Sequence, residues 1–308
     1  MKILVTGAAG FIGSNISTTL LHQGHSVVGI DSLSNILYSK DIKANRIRTL
    51  SKLGGFEFHH LDLSADSLDL IEGDLDAVIN EAALPGQILS WGHFDQYVIN
   101  NFTSVERLIQ YCLERKIPKL VQASTSSVYG INAIGAESQQ LRPASPYGVT
   151  KLAGESLLHA YGQNFPLRYS IVRYFSVFGP EQRPDMGLHK FISAIAAGTP
   201  LHIYGDGTQR RDCTFVDDIV DGTISAIENG IEGETYNLAG GTDISVIDMI
   251  ELCARLIGKE PRIIFVDRPV GDQLLTSADF SKAKKDLKYN PRFSFEAGLQ
   301  KQINWQLG

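Results

Sequence analysis

Tyr147 and Lys151 stand four residues apart in Ser145-Pro146-Tyr147-Gly148-Val149-Thr150-Lys151. On a helix that spacing places both on one face, and Pro146 suits the first helical turn. An ammonium beside a phenol stabilises the phenolate and lowers its pKa. The pair therefore reads as a general base with its activator. The same spacing arises by chance in many helices, so its weight comes from what precedes it. Ser124-Thr125-Ser126-Ser127-Val128-Tyr129-Gly130 closes an apolar run that begins at Lys119. A row of hydroxyls at the carboxyl end of a strand lies where open α/β sheets bind ligands, although alone it more often caps a turn.

The element that would hold a ligand over that pair is at the start of the chain. Lys2 to Thr6 is a short apolar run, Gly7-Ala8-Ala9-Gly10-Phe11-Ile12-Gly13 follows at once, and Ser14 to Leu21 reads as a helix ending near Gly24. Ser26 to Asp31 is a second strand ending on an acid. Strand, glycine turn, helix, strand and acid form the context of a dinucleotide site. Gly7 permits a tight turn, Gly10 lets backbone approach a pyrophosphate, and Gly13 allows close helix packing. The helix N-terminus presents free N–H groups and a partial positive charge to the phosphates. Asp31 is placed for an adenosine ribose; a carboxylate there repels a 2′-phosphate, which favours NAD over NADP. An ordinary glycine turn in an α/β domain is the plainer alternative.

The bulk numbers set the class. The chain has 308 residues, with 43% hydrophobic and 20% charged content, which suits a soluble protein of one large or two modest domains. Its net charge of −6 argues against general binding to nucleic acid or anionic membranes. Cys112, Cys213 and Cys253 are scattered without metal-ligand spacing. They read as reduced, buried residues of a cytoplasmic protein, and no metal is expected. No apolar run is long enough to span a bilayer, and a first strand at Lys2 leaves no room for a signal peptide.

In chain order, residues 32–55 are polar, and Ser32 to Asn35 could contact the adenosine end of a cofactor. The rest of that stretch is a short helix or a loop. Phe56 to Asp62 alternates like a third strand. Asp62 either bonds the adenine amino group or caps a helix from Ser64. Ala77 to Asn80 is a buried fourth strand, and the small residues after Glu81 (Ala82, Ala83) suit backbone lying under a cofactor. Asp95 to Arg115 reads as one helix with Val98, Phe102, Val105, Leu108, Ile109 and Cys112 on one face; Asn100 or Asn101 could reach the cofactor. The helix from Pro146 runs to about Gly162, and Arg168 to Ser176 is a sixth strand. Further helices are expected over 187–198, 215–229, 246–257, 279–287 and 295–305, with strands at 201–204 and 236–239. Arg210-Arg211-Asp212 is either a solvated pair or a diphosphate clamp. The fold class is α/β: a Rossmann-like doubly wound parallel sheet with a smaller C-terminal α/β substrate-binding lobe. Residues 1–175 form the nucleotide domain, segments near 213–240 return to it, and 176–308 form the lobe.

These residues resemble the extended short-chain dehydrogenase/reductase family, and within it the nucleotide-sugar epimerases. The resemblance rests on Thr6 to Ser14, Val128-Tyr129-Gly130, Tyr147-x-x-x-Lys151 and Arg173-Tyr174-Phe175. Ala82 to Gly86 with Ser90-Trp91-Gly92, and Gln182-Arg183-Pro184-Asp185-Met186, resemble UDP-glucuronate 4-epimerases more than the UDP-galactose enzymes.

The resemblance implies tightly held NAD, contacted also by Phe11, Ile12, Leu63, Asn100 and Tyr174, and a UDP-sugar substrate. Tyr147, as phenolate, takes the proton of the sugar 4-hydroxyl while hydride passes to the nicotinamide. Thr125 hydrogen-bonds that hydroxyl, and Lys151 also holds the nicotinamide ribose. The 4-keto sugar turns over and hydride returns to its other face. Ser126, Ser127 and Ser176 match hydroxyls that cradle a hexuronate carboxylate, with Pro85 alongside. Related decarboxylases and dehydratases carry acids after the strand-end threonine, where this chain has Ser126-Ser127. Arg211 and Arg268 match phosphate contacts, Tyr204 an aromatic beside uracil, and Asp272 completes that end. Arg183 orders the carboxylate site or pairs with Asp272. Gln87-Ile88-Leu89 replaces a Val-Arg-x tripeptide of many glucuronate epimerases. The family also implies a homodimer through the 95–115 and 147–162 helices, whose apolar stripes are equally explained by packing on the sheet. The expected function is NAD-dependent 4-epimerisation of UDP-glucuronate. A neutral UDP-hexose epimerase, a UDP-glucuronate decarboxylase and a non-catalytic NAD-binding regulator are the alternatives.

Overall fold

The structure is a computed structural model that describes residues 1–308. Strand β1 (Lys2–Thr6) runs through the glycine turn into α1 (Phe11–His22), then β2 (Ser26–Asp31), α2 (Lys40–Leu50) and β3 (Phe56–His60). Next come β4 (Ala77–Asn80), α3 (Phe94–Val98), α4 (Ser104–Glu114), β5 (Leu120–Thr125), β6 (Asn132–Gly135), α5 (Pro146–Asn164) and β7 (Tyr169–Tyr174). The second half contains β8 (Val177–Phe178), α6 (Gly187–Ala197), β9 (Pro200–Tyr204), β10 (Arg210–Arg211), β11 (Thr214–Phe215), α7 (Val216–Glu228) and β12 (Thr235–Leu238). It closes with β13 (Ile244–Ser245), α8 (Val246–Ile257), β14 (Arg262–Val266), β15 (Leu275–Ala278), α9 (Ser281–Asp286) and α10 (Phe295–Leu307).

Seven strands form one sheet in the order β12-β7-β5-β4-β1-β2-β3. All of its pairings are parallel. Apart from edge strand β3 the strands are buried along almost their whole length, as a sheet covered by helices on both faces requires. The chain leaves β1 toward β2 on one side and returns to β4 on the other. The crevice between the carboxyl ends of β1 and β4 is thus the topological switch point where such sheets bind ligands. Strand β12 adds to the outer side of β7, and α7 packs on α1, so this late segment is part of the nucleotide-binding layer.

The remaining strands are short. A four-stranded sheet runs β13-β10-β15-β6, and parallel pairs join β14 to β9 and β11 to β8. Strand β6, from the first half of the chain, therefore pairs with β15 near its end. This knits a loop of the nucleotide domain into the lobe directly beside the hydroxyl row.

Three sequence expectations change. The 95–115 helix is interrupted by a π-helical stretch over Ile99–Thr103, the kind of bulge that collects at functional sites. It leaves Asn101 buried, bonded to both backbone groups of Leu84, and puts Asn100 on the cavity wall. The expected apolar stripe is core: Val105, Leu108, Ile109 and Cys112 are buried under the sheet. No helix starts at Ser64; Asp62 instead caps a turn through the backbone N–H and hydroxyl of Ser64. No helix is long and apolar enough to cross a membrane.

Candidate active site

The glycine turn builds the floor. Gly7 has φ +65°, and a Cβ there would lie 2.9 Å from the Ala82 nitrogen. A Cβ on Gly13 would collide with the Gly7 carbonyl. Gly13 thus lets α1 press onto the turn itself. Gly10 caps α1 with no side-chain bond to the helix, so the first-turn N–H groups stay available for an anion. Gly7, Gly10, Phe11, Ile12 and Gly13 all line one long cavity. So do Asp31, Ser32, Asp62, Leu63, Ala82, Ala83 and Asn100. This cradle, which side chains on the glycines would fill, fits a dinucleotide lying across the switch point.

Asp31 is more engaged than its position in sequence suggests. One carboxylate oxygen accepts from the Leu33 N–H at 2.8 Å and Lys43 at 3.1 Å; the other accepts from the Ala9 N–H at 3.2 Å. Lys43, which sequence reasoning missed, offsets part of the charge expected to repel a 2′-phosphate. Asn35 is exposed and outside the cavity wall, correcting its expected adenosine contact. Leu33, at φ +51°, turns the loop so that Ser32 and Ser34 line the cavity.

Tyr147, Lys151 and Thr125 meet farther along the same cavity, with Ser126, Ser127, Tyr174, Ser176, Arg183 and Pro85. Strand β5 delivers Thr125 at its carboxyl end, and α5, capped by Ser145 and begun by Pro146, delivers the pair. The Lys151 ammonium donates to the Ala123 carbonyl at 2.7 Å. Burial lowers its pKa to about 8 against the opposing pull of Glu81 and Glu155. Burial also raises the Tyr147 phenol, and what opposes this is first the Thr125 hydroxyl and then Arg183. In this structure the groups that oppose the rise of the phenol are Thr125 and Arg183, and the Lys151 ammonium is bonded to the Ala123 carbonyl near the end of β5.

One carboxylate at this end went unread in sequence. Glu81 follows β4, lines the cavity and accepts from the Tyr174 hydroxyl at 2.5 Å. Burial pushes it up to about 7, opposed by that hydrogen bond and by Lys151. Its signal was a lone acid at the end of an apolar strand. Between pH 4.5 and 7 the folded state holds a proton that the unfolded chain releases, so stability falls as pH rises through this window. Glu81→Gln, which keeps the acceptor for Tyr174, should be near neutral at pH 5. At pH 8 it should stabilise by at most about 3 kcal/mol. Melting temperatures of both proteins across that range check this; a difference independent of pH would contradict it.

A second cavity shares Ser176, Val177 and Met186 with the first and leads to Tyr204, Arg211 and Asp272. Arg211 bonds Asp272 at 3.0 Å. Arg268 lies outside both walls and spends its guanidinium on Asp272, through the backbone oxygen at 2.8 Å and the carboxylate at 3.5 Å. Arg183 makes a two-pronged pair with Asp185 at 3.0 and 2.9 Å, which corrects the alternative pairing with Asp272. The arrangement can deprotonate a hydroxyl beside a dinucleotide at one end and hold a phosphorylated, aromatic-ended substrate at the other.

Comparison with known proteins agrees in kind. The profile of the family described as "NAD dependent epimerase/dehydratase family" matches residues 3–239. The chain is 40% identical over 308 residues to UDP-glucuronate 4-epimerase of Thermodesulfobacterium geofontis, across 98% of this chain and 95% of that one. It is 41% identical over 309 residues to an uncharacterized UDP-glucose epimerase of Bacillus subtilis, across 98% and 97%. The crystal structure of UDP-glucuronic acid 4-epimerase from Bacillus cereus, in complex with UDP-glucuronic acid and NAD, superimposes with a TM-score of 0.96. That match has 41% identity and covers 100% of this chain and 99% of that chain.

Proposed function

The chain belongs to the NAD dependent epimerase/dehydratase family, and from that premise we propose that it interconverts UDP-glucuronate and UDP-galacturonate by NAD-dependent epimerisation at C4. The observation that carries the sugar assignment is the wall beyond Thr125. There Ser126, Ser127 and Ser176 stand with Arg183 in one cavity that also holds Tyr147 and Lys151. Hydroxyls and a guanidinium suit a carboxylate. Ser126 and Ser127 also stand where an eliminating enzyme would need an acid.

The glycine turn, Asp31, Asp62 and Lys151 would hold NAD, which when bound supplies the acceptor and donor of hydride. Tyr147 takes the proton from the sugar 4-hydroxyl and later returns it, and Thr125 orients that hydroxyl. Arg211 and Tyr204 anchor the UDP end while the 4-keto sugar turns over within the site. The keto sugar of a hexuronate is a β-keto acid, prone to lose carbon dioxide. Ser126, Ser127, Ser176 and Arg183 hold its carboxylate so that the breaking bond stays out of line with the carbonyl π system.

Incubation with UDP-glucuronate, followed by proton NMR, should show UDP-galacturonate accumulating to equilibrium. A UDP-pentose with released carbon dioxide would mark a decarboxylase instead. Faster turnover of UDP-glucose or UDP-N-acetylglucosamine would mark a neutral-hexose epimerase. We also propose a homodimer through α3, α4 and α5. Support comes from Phe94, Ile99 and Val149, large apolar residues exposed on these segments.

A further inference from the structure

Two glutamines, Gln273 and the Gln87 that opens the Gln87-Ile88-Leu89 tripeptide, sit at the carboxylate end of the cavity, and hydrogen bonds fix their orientations one after the other. Gln273 donates through its amide nitrogen to two backbone carbonyls, Gly130 at 3.0 Å and Ser126 at 3.2 Å. Both protons of that nitrogen are then used, and its oxygen is left to face Gln87. The Gln87 nitrogen donates to this oxygen at 3.3 Å and to the Ser127 hydroxyl oxygen at 3.0 Å. The Ser127 oxygen also lies 3.2 Å from the Thr125 hydroxyl. A serine oxygen has two lone pairs and one proton. With the Gln87 amide donating to that oxygen and no protein acceptor taking its proton, Ser127 presents that proton to the cavity. The Gln87 amide oxygen is buried with no protein partner. Such a group is costly unless a ligand satisfies it. Gln87, Ser127 and Gln273 all line the cavity with Ser176 and Arg183.

The two glutamines come from loops far apart in sequence. Gly271, at φ +84°, lets the loop before β15 press onto its neighbours. A Cβ there would lie 2.8 Å from the Ala144 carbonyl and 3.3 Å from the Trp91 indole nitrogen. That close fit brings Gln273 to the loop after β4.

We propose that Gln273 and Gln87 form a positioning relay that orients Ser127 as a hydrogen-bond donor to the C6 carboxylate of the sugar, and so sets the preference for a hexuronate over a neutral hexose. The relay rests on the UDP-glucuronate reading above. A carboxylate offers only acceptors to the proton that Ser127 presents, whereas a C6 hydroxyl brings a proton of its own to the same contact. Lost hydrogen bonds to a charged group cost more than lost neutral ones.

The test is calorimetric titration of NAD-loaded wild type, Gln87→Leu, Gln273→Leu and Gln87→Glu with UDP-glucuronate, UDP-glucose and UDP. Each leucine variant should weaken UDP-glucuronate about ten-fold or more, with UDP and UDP-glucose changed less than about two-fold. Gln87→Glu, which cannot donate to Ser127 and adds a like charge, should weaken UDP-glucuronate further. Gln87 and Gln273 are probed separately so that a variant that fails to fold does not decide the matter; melting temperature and bound NAD report folding. If the wild type turns over UDP-glucuronate and the ratio of the two sugar affinities is unchanged in the folded variants, the relay is wrong. If the wild type does not turn over UDP-glucuronate, the substrate reading falls and the relay falls with it.

Discussion

Replacing Tyr147 with phenylalanine is expected to lower UDP-glucuronate turnover by about two to four powers of ten while NAD stays bound. The fold should be indifferent to the change. The Tyr147 ring packs edge-on against Tyr97 with centroids 6.2 Å apart, and the Tyr97 hydroxyl is held by the Pro85 and Gly86 carbonyls. Phenylalanine keeps that contact and removes only the hydroxyl. Dinucleotide retention is expected to rest mainly on the glycine turn, Asp31 and Lys151, whose side chains the substitution leaves in place. The assay is the initial rate of UDP-galacturonate formation, with NAD quantified after heat release. A rate within about three-fold of wild type would remove Tyr147 from the chemistry, since a positioned general base contributes far more than that.

The surroundings of the phenol say why one proton acceptor can serve both halves of the cycle. Burial alone would keep Tyr147 protonated near neutral pH; the Thr125 hydroxyl and the Arg183 charge work against it. Lys151 is lowered to about 8 by its own burial, so it gives up its charge more readily than an exposed lysine. The same enclosure that raises the phenol strengthens every charge placed near it. The phenol stays above its ordinary value, and the Thr125 hydroxyl and the Arg183 charge are what ease release of its proton.

How legible this site is in the sequence depends on how local each contact is. The glycine turn, α1 and Asp31 occupy 25 consecutive residues, 7–31, and their geometry follows from backbone rules over that span. Tyr147 and Lys151 are one helical turn apart and could be paired on paper. Lys43, although only 12 residues from Asp31, needed a loop conformation that no periodicity encodes, and Asn35 was misplaced by one residue for the same reason. The lobe was poorly legible because β8, β10, β11 and β13 are two residues long. Such strands carry no alternation and exist only through partners distant in sequence. Gln273 reaches the site because β15 pairs with β6, residue 276 beside residue 133. Spacing gives Tyr147 and Lys151 a shared helix face but not which way a flexible ammonium turns; here it donates to the Ala123 carbonyl.

Beneath the site lies a charge network whose disruption should be the largest single blow to stability. Glu155 and Arg173 are both almost wholly buried and form a two-pronged pair, at 3.0 and 2.6 Å. The Ser124 hydroxyl donates to the same carboxylate. Arg173 donates to the Tyr129 hydroxyl at 2.8 Å, which donates in turn to Asn237 of β12 at 2.7 Å. The pair thus fastens α5 to β5, β7 and β12, and it brackets Thr125, Ser126 and Ser127 from below. Glu155→Leu would leave a guanidinium enclosed without its counter-charge, at a cost of about 3–5 kcal/mol. Arg173→Met, which strands the carboxylate, should cost a similar amount. The double variant should lose much less than the sum, because well-packed apolar residues can replace a buried pair at little cost once neither charge remains. Urea unfolding of the four proteins measures the coupling, and strictly additive losses would show that the pair does not act as a unit. Glu155 also sits one turn beyond Lys151 and holds that lysine's pKa up. Its loss should therefore reduce the charged fraction of Lys151 and depress activity even where the protein remains folded.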